Sequence, residues 1–134
     1  MSQEYKIPVW KINGLELPFD FEDENYMERY ARAFEHMKES AKNEPKTGMR
    51  HEYIHFYCDV YYQLFDELFG RGTSDKLFNG QRNMRLCDEV FDSFLKFVRS
   101  TMKASQDYTV ARKQYYHNFN RPQPNRQKKK RRYN

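Results

Sequence analysis

The stretch Leu64–Val98, LFDELFGRGTSDKLFNGQRNMRLCDEVFDSFLKFV, decides the fold. It reads as the end of one helix, a glycine-punctuated connector with one short helical turn, and the start of another helix. Leu64, Phe65, Leu68 and Phe69 close the first helix on an apolar face. Gly70 and Gly72 end it, because only glycine enters φ > 0 without a Cβ penalty. Thr73 or Ser74 is the expected cap of a short helix over Asp75–Phe78, stopped by Gly80, and Asn83 is placed to cap the next helix. Phe69 and Phe78 flank the glycines, so the connector is expected to be pinned to the core. No reactive group lies in this stretch, which points to binding rather than catalysis.

Working outward, Tyr5, Ile7, Val9 and Lys11 alternate with Lys6, Pro8, Trp10 and Ile12, and Leu15, Leu17 and Phe19 return after Asn13-Gly14. Asn-Gly is the strongest two-residue hairpin turn, so residues 5–19 read as a β-hairpin. A lone hairpin is marginal in water; it must pack on the helices or pair with another subunit's edge. A helix over about 22–42 follows, capped by Asp20 or Asp23, with Tyr26, Met27, Tyr30, Phe34, Met37 and Ala41 at i, i+3/i+4 spacing. Asn43–Gly48 breaks it. The next helix covers about 49–69 and carries Ile54, Tyr57, Cys58, Tyr61, Leu64, Phe65 and Leu68 on one face. Tyr53, Phe56, Val60 and Tyr62 widen that face nearly all round, as in a central helix or one that touches a partner. A third long helix covers about 84–105, with Cys87, Val90, Phe91, Phe94, Leu95, Val98 and Met102 inward and Phe97 off the stripe. Residues 106–119 (Tyr108, Val110, Tyr115, Tyr116, Phe119) read equally as a weak docked helix or an exposed aromatic arm. The expected fold is mainly α: a bundle of three long helices plus a short connector helix, with an N-terminal β-hairpin.

Composition sharpens this. At 134 residues the chain is read as one domain over 1–120 with a tail over 121–134. Leu, Ile, Val and Phe number 26, near the border of disorder, but aromatics at 17 % restore a core. The tail holds seven positive charges, Arg121, Arg126, Lys128, Lys129, Lys130, Arg131 and Arg132, and no acid, while residues 1–120 have 17 basic against 19 acidic residues. With Pro122, Pro124 and that charge run, the tail reads as disordered. Cys58 and Cys87 read as two buried thiols in preference to a disulfide. No apolar leader or membrane span is visible, so a cytoplasmic protein without membrane association is expected.

The sharpest chemical motif is His51-Glu52-Tyr53-Ile54-His55, an H-E-x-x-H match on a predicted helix. There His51 and His55 share a face that can hold zinc, with Glu52 as general base. A hydrolytic site also needs a third ligand and a cleft; Glu89, His117 and Cys58 are candidates at no recognisable spacing. A solvated helix start containing two histidines accounts for the motif more simply. Asp88, Glu89 and Asp92 read as acids near a helix start rather than a catalytic pair. Gly70–Thr73 lacks the Lys-Ser/Thr pair of a phosphate loop. For the tail, docking on an acidic protein partner outweighs both simple solubility and nucleic-acid binding, since the body is mildly acidic.

Three patterns resemble a family of small proteins encoded in the tail-morphogenesis clusters of tailed phages and prophages, a domain of unknown function. They are Ile12–Gly14 followed by the acidic-aromatic stretch Phe19–Tyr30, the block FDELFGRGTSDKLFNGQRNM, and the basic ending Pro124-Asn125-Arg126 with Lys128–Arg132. The resemblance implies a non-enzymatic bacteriophage morphogenesis factor, without cofactor, in the cytoplasm of a bacterial host. It looks like a tail assembly chaperone that binds the tape measure protein and tail tube protein. The residues expected to contact such partners are Tyr53, Tyr57, Tyr61, Phe65, Phe69, Phe97, Tyr115 and Tyr116, with Arg126, Lys128, Lys129, Lys130, Arg131 and Arg132. Two alternatives are a small structural virion component that forms homo-oligomers through the hairpin edge, and a zinc-dependent peptidase using His51, Glu52 and His55.

Overall fold

A computed structural model describes residues 5–120; the calls on Arg121, Arg126 and Lys128–Arg132 lie outside the described residues. The element order is β1 (Val9–Ile12), β2 (Leu15–Pro18), α1 (Glu24–Ala41), α2 (Arg50–Phe69), α3 (Thr73–Phe78) and α4 (Met84–Asn120). The protein is mainly helical, with an N-terminal antiparallel hairpin and four helices among the described residues. The chain divides after Met102, and α4 runs through that boundary.

The hairpin closes as its sequence dictates. Asn13 (φ 50°) and Gly14 (φ 77°) both take positive φ, the pair of conformations a tight two-residue turn needs. Trp10 pairs with Leu17 and Ile12 with Leu15. The Phe19 N–H donates to the Pro8 carbonyl at 3.0 Å, and the reciprocal bond is missing because Pro8 has no N–H, so the ladder ends at this pair. Alternation then sends Trp10 inward and leaves Tyr5, Ile7 and Val9 exposed.

Trp10 is the key of the core. Its ring lies 5.6 Å from Phe65, 5.8 Å from Phe69 and 5.2 Å from Phe94, and its indole N–H donates to Ser93 Oγ at 3.1 Å. The hairpin therefore packs on α2 and α4. Burial of a ring of this size removes roughly 200 Å² from water, an upper bound of about 5 kcal/mol. Asn13 Nδ2 also donates to the Leu77 carbonyl at 3.0 Å, tying the turn to α3. Phe19, Phe65, Phe78, Phe94, Leu64, Leu68 and Leu77 complete an aromatic-rich interior.

Caps follow local chemistry, with two refinements. Asp23, not Asp20, caps α1, accepting the Tyr26 N–H at 3.2 Å. Asn83 caps α4 by accepting the Leu86 N–H at 3.0 Å. Neither Thr73 nor Ser74 caps α3. The helix starts directly after Gly72 (φ 92°), and Asp66 of α2 reaches across to accept the Ser74 N–H at 2.9 Å. The cap is supplied by the preceding helix, which clamps the glycine turn from outside. The final helix also continues past the expected end near 105 to Asn120, so residues 106–119 are helical, and every side chain over 106–118 is exposed.

Candidate functional site

The second face of α2 builds the site. One face buries Cys58, Tyr62, Leu64, Phe65 and Leu68. The other presents Tyr53, Phe56, Tyr57, Val60 and Tyr61, all half-buried. Opposite them α1 contributes Phe34, Met37, Lys38 and Ala41, with Glu44 at one end and Phe91 of α4 at the base. These residues enclose an open groove of about 460 Å³.

The tyrosine wall of the groove is tethered. Tyr57 Oη donates to Asp88 Oδ1 at 2.6 Å, and Tyr61 Oη donates to the same oxygen at 3.2 Å. The Tyr57 and Tyr61 rings lie 5.5 Å apart, and Tyr61 also contacts Phe91 at 5.2 Å. One carboxylate on α4 thus fixes two rings of α2, and Tyr53 extends the row at 6.1 Å from Tyr57. The hydrogen bond to Asp88, aided by burial, raises the pKa of Tyr57. For Tyr61 burial is the larger cause, followed by the neighbouring Tyr57 hydroxyl and the Asp88 carboxylate. Both hydroxyls stay protonated and act as donors. The groove is lined mainly by apolar and aromatic side chains, with Lys38 and Glu44 as its charged members.

A family described as "Family of unknown function (DUF6673)" matches residues 13–134. The chain belongs to this family. The family match takes in every residue that lines the groove and omits β1. No curated protein and no solved structure matches the chain.

The structure brings Tyr53, Tyr57 and Tyr61 together in the groove wall, while Phe65, Phe69 and Phe97 belong to the core. Phe65 is fully buried against Trp10, Phe78 and Phe94, so it has no surface to offer a partner. Phe69 packs on Trp10, Phe19 and Phe94, and Phe97 on Phe21 and Phe94, both half-buried at the core. Tyr115 and Tyr116 are exposed on the distal part of α4. Phe34, Met37, Phe56, Val60 and Phe91 line the groove and were not among the residues singled out from the sequence as candidate contacts. Their signal was the nearly all-round apolarity of α2 facing a second apolar stripe on α1.

His51 and His55 are both exposed at the start of α2. Glu52 is occupied as a helix cap: its Oε1 accepts the Met49 N–H at 2.8 Å. Among the described residues no three His, Cys, Asp or Glu side chains converge in a way that could hold a metal ion. Cys58 and Cys87 are buried free thiols on α2 and α4, and burial pushes both thiol pKa values up. No helix among the described residues is long and apolar enough to cross a membrane.

Proposed function

We propose that this chain is a non-enzymatic protein-binding factor whose groove between α1 and α2 receives an amphipathic helix of a partner. The observation that carries this is the apolar groove of about 460 Å³ with its Asp88-tethered tyrosine wall. An apolar trough between two helices fits one face of a third helix, read by anchors at i, i+3/i+4 and i+7. Tyrosines held by a carboxylate lose little freedom on binding, so the wall is pre-organised. Met37 gives one side of the trough an adaptable contact. In this reading α1, α2 and the proximal part of α4 act as a three-helix bundle that presents the groove.

The resemblance to phage tail-cluster proteins supplies the biological setting: a tail assembly chaperone whose helical client is the tape measure protein or a tail tube subunit. The test is co-purification of the intact chain with the products of its gene neighbours, compared with Phe56→Glu and Val60→Glu. A neighbour retained by the parent and lost by both groove variants is the expected result. Retention by the variants, or no retained neighbour, refutes it. A second reading, a structural virion component joined through the hairpin, has one supporting observation: among the described residues β1 pairs only with β2, and exposed Ile7 and Val9 lie just before and at its start.

A further inference from the structure

The two edges of the hairpin are not alike, and the difference lies in where its prolines stand. The Phe19 N–H donates to the Pro8 carbonyl at 3.0 Å, so Pro8 and Phe19 face each other at a bonded position. Bonded and non-bonded pairs alternate along an antiparallel ladder. Trp10 with Leu17 and Ile12 with Leu15 are then bonded pairs, whereas Val9 with Pro18 and Lys11 with Glu16 turn their backbone groups outward. Pro18 therefore stands where the outer edge of β2 needs a donor, and it has none. Pro8 lacks its donor on the inner side instead, so the outer edge of β1 keeps the N–H and C=O groups of Val9 and Lys11. Among the described residues β1 pairs only with β2.

The same edge runs on past the end of the ladder. Pro8 holds the residue before it to extended backbone, which carries the alternation to Ile7. Tyr5 Oη donates to Asp20 Oδ1 at 2.8 Å and fixes the start of this segment. Tyr5, Ile7 and Val9 are all exposed, Ile7 at 40 % and Val9 at 38 %. An open edge flanked by exposed apolar side chains is a template for another strand.

The segment Tyr5–Lys11, YKIPVWK, is complementary to itself. A second copy set antiparallel about Pro8 places Ile7 opposite Val9, Tyr5 opposite Lys11 and Lys6 opposite Trp10. Apolar residues face apolar residues, each cation faces an aromatic residue, and no two like charges are opposed. The outward-turned positions 5, 7, 9 and 11 fall on one another in this register, as a ladder requires. Pro8 meets its own copy at a non-bonded position, where no N–H is needed.

We infer that the chain self-associates through the outer edge of β1, two hairpins joining in one four-stranded antiparallel sheet with twofold symmetry about Pro8. By alternation both helical bodies lie on one side of that sheet, and Ile7, Val9 and Lys11 of the two copies form a row on the other. The contact involves few residues, at the low end of interface sizes, so the dimer is weak and concentration-dependent. It uses no residue of the groove and depends on neither functional reading above.

The test is sedimentation velocity of the intact chain across a concentration series. The weight-average mass should climb from 16.5 kDa toward twice that value. Ile7→Lys with Val9→Lys sets lysines opposite one another and should raise the dissociation constant about tenfold or more. Both side chains are exposed, and circular dichroism checks the fold. Phe56→Glu, in the groove, should leave self-association unchanged. Disulfide trapping reads the register: Ile7→Cys mixed with Val9→Cys under oxidised glutathione should cross-link more than either variant alone, because directly opposed Cα atoms lie about 5.5 Å apart. Cys58 and Cys87 are buried and do not compete. If the lysine variant fails to fold, the trapping decides. A chain that stays monomeric at every concentration leaves the edge to an extended segment of another protein and overturns the proposal. A dimer that survives the folded lysine variant, a dimer lost in Phe56→Glu, or a mixture that cross-links no more than Val9→Cys alone overturns it as well.

Discussion

Removing the Asp88 carboxylate should cost stability through two tyrosines at once. Asp88 Oδ1 accepts from Tyr57 at 2.6 Å and from Tyr61 at 3.2 Å, and all three side chains are half-buried. A hydrogen bond to a charged group contributes about 1.5–3 kcal/mol. The two bonds share one oxygen and lie partly in reach of water, so Asp88→Ala should lose about 2 kcal/mol for the pair. For a chain of this size that is roughly 6–8 °C in Tm. Asp88→Asn should keep a neutral acceptor and about half the effect. Asp92→Ala, an exposed acid on the same helix, should stay within about 0.5 kcal/mol. The decisive assay is a double-mutant cycle by denaturant unfolding with Tyr57→Phe and Asp88→Ala. The two residues share one bond, so their costs should not add, with a coupling of about 1 kcal/mol or more. If Tyr57→Phe costs the same with Asp88 present and absent, the tether carries no energy and the pre-organised wall fails with it.

Other outcomes follow from the same geometry. His51→Ala with His55→Ala should change stability by less than about 0.5 kcal/mol, whereas Glu52→Ala should lose about 1 kcal/mol by freeing the Met49 N–H; equilibrium unfolding distinguishes them. Asp66→Ala should destabilise by about 1 kcal/mol, because it removes the carboxylate that accepts the Ser74 N–H at the start of α3, and hydrogen exchange at Ser74 should report it first. Stability should fall at alkaline pH. Tyr57, Tyr61 and Cys87 have native pKa values raised above their ordinary ones, so each holds its proton more tightly when folded. Their contribution is complete below the unfolded values, about 8.5 for Cys and about 10 for Tyr, and is lost as pH climbs beyond them. A denaturation midpoint that rises between pH 9 and 11 would contradict the assignment.

The hairpin, the glycine breaks and the Asn83 cap were legible because their causes are local: Asn13-Gly14 needs no tertiary contact to favour positive φ, and Asn83 acts three residues away. Features set by distant partners were not. Alternation over residues 5–12 offers two mixed faces, and Trp10 wins the inside only because Phe65, Phe69 and Phe94 arrive from α2 and α4. The Asp66 cap spans the glycine turn, and its sequence spacing matches no capping pattern. Asp88 looked like a solvated acid at a helix start because its donors lie 27 and 31 residues upstream. Phe65 was assigned to a partner surface because a helix apolar on both sides does not reveal which side the core takes. The helix beyond residue 105 has few strong helix formers, yet it extends a helix already nucleated by packed residues, so it skips the cost that makes an isolated segment of that sequence marginal.

That last ambiguity of α2 is itself the functional clue. A helix needs one apolar stripe to hold a core, and Cys58, Tyr62, Leu64, Phe65 and Leu68 supply it in full. Tyr53, Phe56, Tyr57 and Val60 are surplus to that requirement, with Tyr61 at the margin of the core, and leaving them half-covered risks association with other chains. The sequence does not dilute this face with charge; it holds two of its rings in place with Asp88. Were the face only the margin of the core, the hydroxyls of Tyr57 and Tyr61 would be satisfied by water, and a buried-edge carboxylate on α4 would add desolvation cost for little return. A fixed aromatic wall over an open trough has a use when something else completes the packing, which is why the groove, and not the histidine pair, carries the reading of this protein as a binder of helices.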